Sequence, residues 1–348
     1  MDFQGKKKTV EQGQYQFMLK NCVWEITLAC CFSCAYCGSK AGRAREKELS
    51  TKECLNVAQQ LAGMGCRRVT MIGGEVFMRP DWPVIAKSLT DQGVKVAIIT
   101  NGFLFSDQRI SQLKTANIES VAVSLDGPED IHDLFRQKGS FQRVMVAIDR
   151  LAKNQIPVSV ISTLHSRNVP FLEDMYESLR GKDIFAWQLQ ACSPMGNASG
   201  GGISTDIDFK KVISFVEKHM GNSRFPIGIA DNIGYYTQSE GYLRGRAGAF
   251  FRGCRAGLSS IGIDSVGNVR GCESMYDDTF IEGNLRERTL SEIWNDPEAF
   301  AYNRQFSMDL LSGKCAECSW AGKCAGGCRS YNYFTHRKLY ESPYCARR

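Results

Sequence analysis

The chain alternates strand-like and helix-like segments from residue 22 to residue 220, and this alternation limits the folds open to it. Six short apolar or β-branched runs recur, at 22–29, 67–74, 95–102, 120–127, 157–165 and 185–192. Segments with helical spacing separate them, and one begins at Ser50 with Glu53 three residues later, a capping-box pattern. Near-continuous apolar strands are typical of a parallel sheet covered by helices. The pattern predicts an α/β fold, a partial (β/α)6 barrel, because six units are too few for the closed eight-fold barrel.

Composition and charge exclude several classes of protein. The 348 residues are 43% hydrophobic and 23% charged, which is typical of a globular protein. No apolar run approaches the ~20 residues that cross a bilayer, and the N-terminus lacks the apolar core of a secretory signal. The net charge of +6 is spread along the chain, so we expect neither nucleic acid nor membrane as a partner. These features predict a cytoplasmic protein.

Cysteine is the unusual residue, with fifteen in the chain. Cys30, Cys34 and Cys37 follow the first predicted strand with the spacing C-x3-C-x2-C. In a reducing compartment such spacing indicates metal or redox chemistry. Structural zinc takes four ligands, whereas three thiolates can hold three irons of a 4Fe–4S cluster and leave the fourth iron open. The loop is therefore predicted to bind a cluster that is open to a further ligand.

Polar residues and glycines end the next three strands on the same side as this loop. The strands end in Gly73-Gly74-Glu75, Thr100-Asn101-Gly102 and Ser124-Leu125-Asp126-Gly127. Glycine lets backbone groups approach a ligand closely. Because chemistry in such folds gathers at the carboxyl ends of the strands, we expect a pocket for a polar, charged molecule there.

These motifs resemble those of the radical S-adenosylmethionine (SAM) enzymes. The shared features are C-x3-C-x2-C with an aromatic residue, Tyr36, before the last cysteine, followed by Gly-Gly-Glu at the next strand. The resemblance implies that SAM chelates the open iron and is cleaved to a 5′-deoxyadenosyl radical, which takes a hydrogen atom from the substrate. The protein then binds, orients and shields the reactants.

The resemblance also implies which residues contact SAM. They are Gly73, Gly74 and Glu75 at the methionine amino group, Tyr36 at the adenine region, and Asn101 and Ser124 near the ribose or carboxylate. Arg136 is either a partner of the SAM carboxylate or an exposed helix arginine.

The C-terminal cysteines resemble a SPASM domain, which carries auxiliary clusters. By this resemblance Cys315, Cys318, Cys324 and Cys345 hold one 4Fe–4S cluster, and Cys254, Cys272 and Cys328 hold a second. A zinc ribbon is the alternative, since C-x2-C occurs in both. The segment after Cys254 offers no further cysteine. The second cluster is therefore open at one iron, or closed by another type of ligand or by the substrate.

The predicted organisation follows from these matches. It comprises an N-terminal tail (1–20), the barrel (21–220), a bridging region (221–249) and the SPASM domain (250–348). Within the last, SSIGIDSVGNVRGC predicts a hairpin, and LSEIWNDPEAFAYNRQF (290–306) predicts a single helical stretch.

Three further side chains have two interpretations each. Cys192 ends the sixth strand on the active-site side, where a thiol either packs or returns a hydrogen atom to a substrate radical. Glu273 follows Cys272 and is either a base or a hydrogen-bonded surface glutamate. Cys31 lies within the cluster loop but out of register, and we expect it to pack beneath the loop. Other cysteines outside the motifs are predicted to be buried core side chains.

The combined resemblance predicts a peptide maturase with SAM and three 4Fe–4S clusters. It would abstract hydrogen from a side chain of a ribosomally made precursor peptide and form a carbon–carbon (cyclophane-like) or thioether cross-link. A flavodoxin or ferredoxin would supply electrons. The alternatives are epimerisation of a peptide residue or aminocyclitol with Cys192 as hydrogen donor, and a two-electron oxidation like that of sulfatase maturases.

Overall fold

The structure, a computed structural model, describes residues 17–200, 207–244 and 250–347. Its strands form a sheet in the order β10-β9-β8-β1-β2-β3-β4-β5-β6-β7. They are β1 (Asn21–Glu25), β2 (Arg68–Ile72), β3 (Lys95–Thr100), β4 (Ser120–Ser124), β5 (Val158–Leu164), β6 (Ala186–Ala191), β7 (Ile227–Ile229), β8 (Ser260–Ile263), β9 (Asn268–Arg270) and β10 (Gly283–Asn284). The six predicted strands are confirmed as β1 to β6, all parallel.

Helices connect the strands and cover the outside of the sheet. They are α1 (Thr51–Gly63), α2 (Trp82–Asp91), α3 (Asp107–Thr115), α4 (Glu129–Phe135), α5 (Ser140–Lys153), α6 (Leu172–Leu179), α7 (Phe209–Lys218), α8 (Glu240–Leu243), α9 (Leu290–Asn295), α10 (Ala301–Arg304), α11 (Ala321–Cys324) and α12 (Arg329–His336). The predicted capping box is present, because Ser50 accepts from the backbone of Glu53 and the Glu53 side chain accepts in return. Of the helices that the structure describes, none combines the length and the apolar character that crossing a membrane requires.

The two faces of the sheet differ in burial. Trp24, Met71 and Ile98 are neighbours on one face, and all three are completely buried. On the opposite face, Ile161 and Gln188 are neighbours, and Ile161 is half-buried while Gln188 is exposed. The first face packs against helices, and the second lines the inside of the partial barrel.

The C-terminal region joins the barrel through the sheet itself. Strand β8 pairs in parallel with β1, with Val23 opposite Gly262, and β9 returns antiparallel to β8. This confirms the predicted hairpin. At the other edge of the sheet, β7 pairs with β6. The auxiliary-cluster region and the barrel are therefore parts of one ten-stranded sheet.

The prediction of a single helical stretch at 290–306 was wrong. Helix α9 ends at Asn295, and Asp296 has extended backbone angles (φ −63°, ψ 122°). Asp296 precedes Pro297, and the ring of a proline disfavours helical geometry in the residue before it. The chain resumes as the separate helix α10.

Candidate functional site

The cysteine loop follows β1 and is fixed by backbone hydrogen bonds. The amide of Cys30 donates to the Gly42 carbonyl at 2.9 Å, which closes the loop at its base. Two sulfurs accept backbone amides: Cys30 Sγ from Phe32 at 3.4 Å and Cys37 Sγ from Ala41 at 3.3 Å. Hydrogen bonds to ligand sulfurs are a feature of iron–sulfur sites. The loop therefore fits a cluster held by thiolates.

The end of β2 packs directly against this loop. A Cβ on Gly73 would lie 2.6 Å from the Thr27 carbonyl oxygen, and one on Gly74 would lie 2.4 Å from that of Ala29. No side chain fits at such distances, so glycine is required by the approach of the cysteine loop. The sequence predicts only that these glycines let a ligand approach, and the packing against the cysteine loop is a second reason for them.

Glu75 links the ends of β2 and β3. Its buried carboxylate accepts hydrogen bonds from the Thr100 hydroxyl and the Asn101 amide, both at 2.8 Å, and from the Phe77 amide at 3.2 Å. Burial raises the pKa of the Glu75 carboxyl to about 7, although these donors oppose the shift. The carboxylate thus holds the strand ends together beside the loop.

Asn101 reaches the cysteine loop from the end of β3. Its amide nitrogen lies 3.4 Å from Cys31 Sγ and 4.0 Å from Cys30 Sγ. The prediction that Cys31 packs beneath the loop was wrong, since this residue is exposed. Hydrogen bonds from Cys30 and Asn101 lower the pKa of the Cys31 thiol to about 6, although burial opposes the shift.

Tyr36, Asp126 and Arg136 form a buried group next to the loop. The Tyr36 hydroxyl donates to Asp126 Oδ2, and Arg136 Nε donates to the same oxygen. The Arg136 side chain is only 11% exposed, so the alternative of an exposed helix arginine was wrong. Burial would raise the pKa of Asp126, but Arg136 and weaker contributions from His132 and Tyr36 hold it below its usual range.

Asp126 of this group and the neighbouring His165 were not among the predicted site residues. Asp126 lies in the Ser-Leu-Asp-Gly strand end, which marked it as polar and well placed. His165 is completely buried, with its ring centroid 5.3 Å from that of Tyr36 and 4.7 Å from that of Phe135. Its position after β5 was the available signal. Ser124, the last residue of β4, is also buried and lies opposite Ile161 in the register.

Cys192 lies near the same group, on the side predicted. It is 2% exposed and belongs to a buried cluster with Tyr36, Phe135 and Ala198. Its thiol donates to the Ser193 carbonyl at 3.7 Å. Burial, with a smaller contribution from Asp126, raises the pKa of the Cys192 thiol to about 12. The side chain is therefore a neutral thiol at neutral pH. Cys22, Cys54 and Cys66 are buried, as predicted.

The loop after β6 is docked on the cysteine loop. The backbone amide of Asn197 donates to the Cys37 carbonyl at 2.9 Å, and its side-chain amide donates to the Cys34 carbonyl at 2.8 Å. A Cβ on Gly38 would meet Met195 Cε at 2.5 Å. The segment that begins after β6 thus contacts the backbone of two predicted ligands, Cys34 and Cys37.

The seven C-terminal cysteines fall into two spatial groups. A cavity of about 350 Å³ is lined by Cys315, Cys318, Cys324 and Cys345, together with Tyr235, Tyr236 and Trp320. Cys254, Cys272 and Cys328 form the other group. Burial and, to a smaller extent, the neighbouring Cys254 together raise the pKa of the Cys272 thiol to about 12. Cys328 has Cys254 and Cys272 as neighbours. The structure thus brings together the same two sets that the resemblance implied.

The cysteines are not arranged around single ions. Within residues 17–200, 207–244 and 250–347, no three His, Cys, Asp or Glu side chains are grouped so that they could hold one metal ion. A zinc ribbon needs four ligands on one ion, whereas each thiolate of a 4Fe–4S cluster binds a different iron. Cysteine thiolates are the usual ligands of iron–sulfur clusters, so the donor set of each group fits such a cluster.

The interpretation of Glu273 as a hydrogen-bonded surface glutamate was wrong. Glu273 is 7% exposed, and no described residue hydrogen-bonds either of its side-chain oxygens. It lies behind Gly262 of β8, where a Cβ would come within 2.4 Å of its amide nitrogen. Burial, followed by the charge of Glu25, raises the pKa of the Glu273 carboxyl well above its usual range. Glu25 itself is paired with Arg45.

Two parts of the chain match known families. Residues 24–179 match the Radical SAM superfamily. Residues 254–319 match SPASM, an iron–sulfur cluster-binding domain. The first match contains the C-x3-C-x2-C loop, and the second begins at Cys254.

Relatives of similar length match nearly the whole chain. An AdoMet-dependent heme synthase of Methanosarcina barkeri is 28% identical over 341 residues, covering 92% of this chain and 95% of that protein. The mycofactocin maturase MftC of Mycobacterium ulcerans is 27% identical over 347 residues, covering 94% and 88%. Both are named as enzymes, with different products.

Solved structures show the same fold. SuiB of Streptococcus suis bound to S-adenosylmethionine superposes with a TM-score of 0.76 at 16% identity, covering 93% of this chain and 76% of that one. SuiB bound to its precursor peptide SuiA superposes with a TM-score of 0.72 at 15% identity, covering 93% and 75%.

Proposed function

Because the chain belongs to the radical SAM superfamily and carries a SPASM domain, we propose that this enzyme modifies a ribosomally made precursor peptide. It would take a hydrogen atom from a side chain and form a carbon–carbon or thioether cross-link. The observation that carries the proposal is the presence of two separate cysteine groups beside a barrel with a complete cysteine loop. A cross-link removes electrons from the substrate, and auxiliary clusters can accept them.

The cysteine loop holds the SAM cluster in this proposal. Cys30, Cys34 and Cys37 are its ligands, and the bound cluster with SAM supplies hydrogen-atom abstraction by a carbon radical. The backbone of Gly73 and Gly74 positions the methionine amino group. Other side chains complete the SAM pocket: Tyr36, Glu75, Asn101, Ser124 and Arg136. Their buried hydrogen bonds fix the pocket before SAM enters, which lowers the cost of ordering it.

The C-terminal groups hold two auxiliary clusters in this proposal, one on Cys315, Cys318, Cys324 and Cys345 and the other on Cys254, Cys272 and Cys328.

Cross-linking removes two hydrogens from the peptide. One leaves as an atom to the SAM-derived radical, and the other leaves as a proton and an electron. Glu273, beside Cys272, is the candidate acceptor of that proton. Its buried position beside Cys272, with no hydrogen-bond partner among the described residues, supports this role. A flavodoxin or ferredoxin in the cytoplasm would reduce the SAM cluster.

Epimerisation is the second candidate, and the position of Cys192 favours it. The thiol is neutral, buried and packed against Tyr36. A neutral thiol can give a hydrogen atom to a carbon radical on the face opposite to that of abstraction. This reaction leaves the peptide mass unchanged in ordinary water.

The heme synthase relative supports a different substrate class for the same chemistry. Its match spans nearly the whole of both chains. We therefore include an iron porphyrin as the competing substrate in the test below.

The test is an anaerobic assay of the reconstituted enzyme with SAM and dithionite. The peptides would be those encoded beside its gene, and an iron porphyrin would replace them in a parallel reaction. We expect 5′-deoxyadenosine formation to depend on a peptide and the peptide to lose two hydrogens. Deuterium uptake from heavy water without that loss would indicate epimerisation. Turnover of the porphyrin alone would contradict the peptide proposal.

A further inference from the structure

Arg329 is a buried cation at the start of α12, directly after Cys328. It is 1% exposed. Its Nε donates to the Asn303 side-chain oxygen at 3.0 Å, and its Nη1 donates to the Leu339 carbonyl at 3.1 Å and to the Ala325 carbonyl. All three acceptors are neutral, so they satisfy the hydrogen bonds of the guanidinium without balancing its charge.

Burial lowers the pKa of Arg329, and most of the neighbouring groups that oppose this shift are cysteines of the two C-terminal groups. The opposing groups are Cys254 and Cys328 of the three-cysteine group, Cys324 of the four-cysteine group, and the phenol of Tyr340. The guanidinium also stacks over the Tyr340 ring, 4.5 Å from its centroid. No ion pair joins Arg329 to a carboxylate among the described residues. Arg329 follows Cys328 in the chain, and its guanidinium donates to the carbonyl of Ala325, the residue after Cys324, so it lies between the two cysteine groups.

Other arginines that are buried in this region of the fold have an acidic partner. Arg270 pairs with Asp264 at 2.9 Å, and Arg244 pairs with Glu240 at 2.9 Å. A buried charge is costly unless an opposite charge compensates it. With protonated thiols around it, the charge of Arg329 would be uncompensated. Thiolates bound to two iron–sulfur clusters would supply the missing negative charge.

We propose that Arg329 is the shared counter-cation of the two auxiliary clusters and raises the reduction potentials of both. The inference rests on the proposed function, because it requires clusters on both cysteine groups. Reduction adds an electron to each cluster, and a nearby positive charge stabilises that added negative charge. Replacing Arg329 by a neutral residue should therefore shift both auxiliary potentials to more negative values. The potential of the SAM cluster should stay the same.

The experiment is an EPR-monitored redox titration of the fully loaded enzyme and three variants. Arg329→Met removes the charge, and Arg329→Lys keeps it. Arg304→Met is the matched control, because Arg304 also donates to backbone carbonyls and stacks on Trp294 and Phe300, yet no cysteine is among its electrostatic neighbours. We expect negative shifts of both auxiliary signals in Arg329→Met, a smaller shift in Arg329→Lys, and none in Arg304→Met.

Other results would overturn the inference. Full loading of Arg329→Met with unmoved potentials would refute it while leaving the cluster assignment intact. Equal shifts in the Met and Lys variants would mean that packing, not charge, is responsible.

If Arg329→Met does not load with clusters, Asn303→Asp provides the test. A carboxylate beside the guanidinium should neutralise its charge and lower both auxiliary potentials. Unchanged potentials in that variant would contradict the inference. Absence of auxiliary signals in the wild type would refute the proposed clusters, and this inference with them.

Discussion

Two adjacent cysteines at the start of the cluster loop are predicted to differ in function. Cys30 accepts a backbone amide and has the required spacing to Cys34 and Cys37, whereas Cys31 is exposed and bonded by Asn101. We expect Cys30→Ser to abolish SAM cleavage and the EPR signal of the SAM cluster. Cys31→Ser, the matched control, should keep both within about twofold, because Cys31 is exposed and a serine hydroxyl can still accept the Asn101 amide. Loss of the cluster in Cys31→Ser alone would contradict the ligand assignment.

Cys192 separates the two candidate reactions. If the enzyme cross-links, Cys192→Ala should keep most of its turnover, because the thiol then only packs against Tyr36 and Phe135. If it epimerises, the variant should still cleave SAM but should lose product by a factor of at least about 10², the usual scale for a group that transfers hydrogen. Mass spectrometry of the peptide in heavy water gives the readout. Loss of SAM cleavage itself would fit neither assignment.

At the residue scale, spacing can predict candidate ligands but not the residues that support them. Spacing predicts Cys30, Cys34 and Cys37 as ligands because a bound cluster would impose that spacing directly. Asp126 and His165 become significant only when their strands bring them to Tyr36, and no spacing records that contact. The burial of Arg136 was undecided for the same reason. Its charge is compensated by a residue ten positions away that the helical pattern does not indicate.

Strand β8 is the element that attaches the C-terminal region to the barrel, and Gly262 is its most restrictive position. A Cβ there would lie 2.4 Å from the backbone nitrogen of Glu273. We expect Gly262→Ala to destabilise the fold by about 1–3 kcal/mol, the usual cost of overpacking. Auxiliary-cluster content should fall more than SAM-cluster content, which iron analysis and EPR measure together with thermal unfolding.

Gly63→Ala is the control for that substitution. Gly63 ends α1, and a Cβ there meets no atom within 4 Å. Alanine favours helix over glycine by up to about 1 kcal/mol, so this variant should be as stable as the wild type or slightly more stable. A destabilised Gly63→Ala, or a Gly262→Ala that unfolds at the wild-type temperature, would argue against the packing described for β8.

At the element scale, short sequence patterns correctly predicted the helices and strands that interactions between near neighbours in the chain determine. The capping box at Ser50 and Glu53 predicted the start of α1, and alternating apolar runs predicted β1 to β6. The break between α9 and α10 follows from Pro297, a local signal that the helical periodicity concealed. The parallel pairing of β8 with β1 joins residues more than 200 positions apart. Nothing in either segment specifies that partner.

At the scale of the whole molecule, the barrel and the auxiliary region share one sheet and a buried polar contact. Arg45, from the loop after β1, pairs with Glu25 and donates to Ser265 and Tyr276 of the C-terminal region. Glu273 lies beside this network with no hydrogen-bond partner in the described chain. The C-terminal region is thus joined to the barrel by side-chain hydrogen bonds as well as by strand pairing.

The central claim is that three iron–sulfur clusters occupy the three cysteine groups. The most direct test is the iron and sulfide content of the anaerobically reconstituted wild type, measured beside a variant with Cys30, Cys34 and Cys37 all changed to Ala. The account predicts about twelve irons in the wild type and about eight in the variant, because each 4Fe–4S cluster holds four. About four irons in the wild type, with zinc bound in addition, would mean that the C-terminal cysteines are structural. That result would contradict the account.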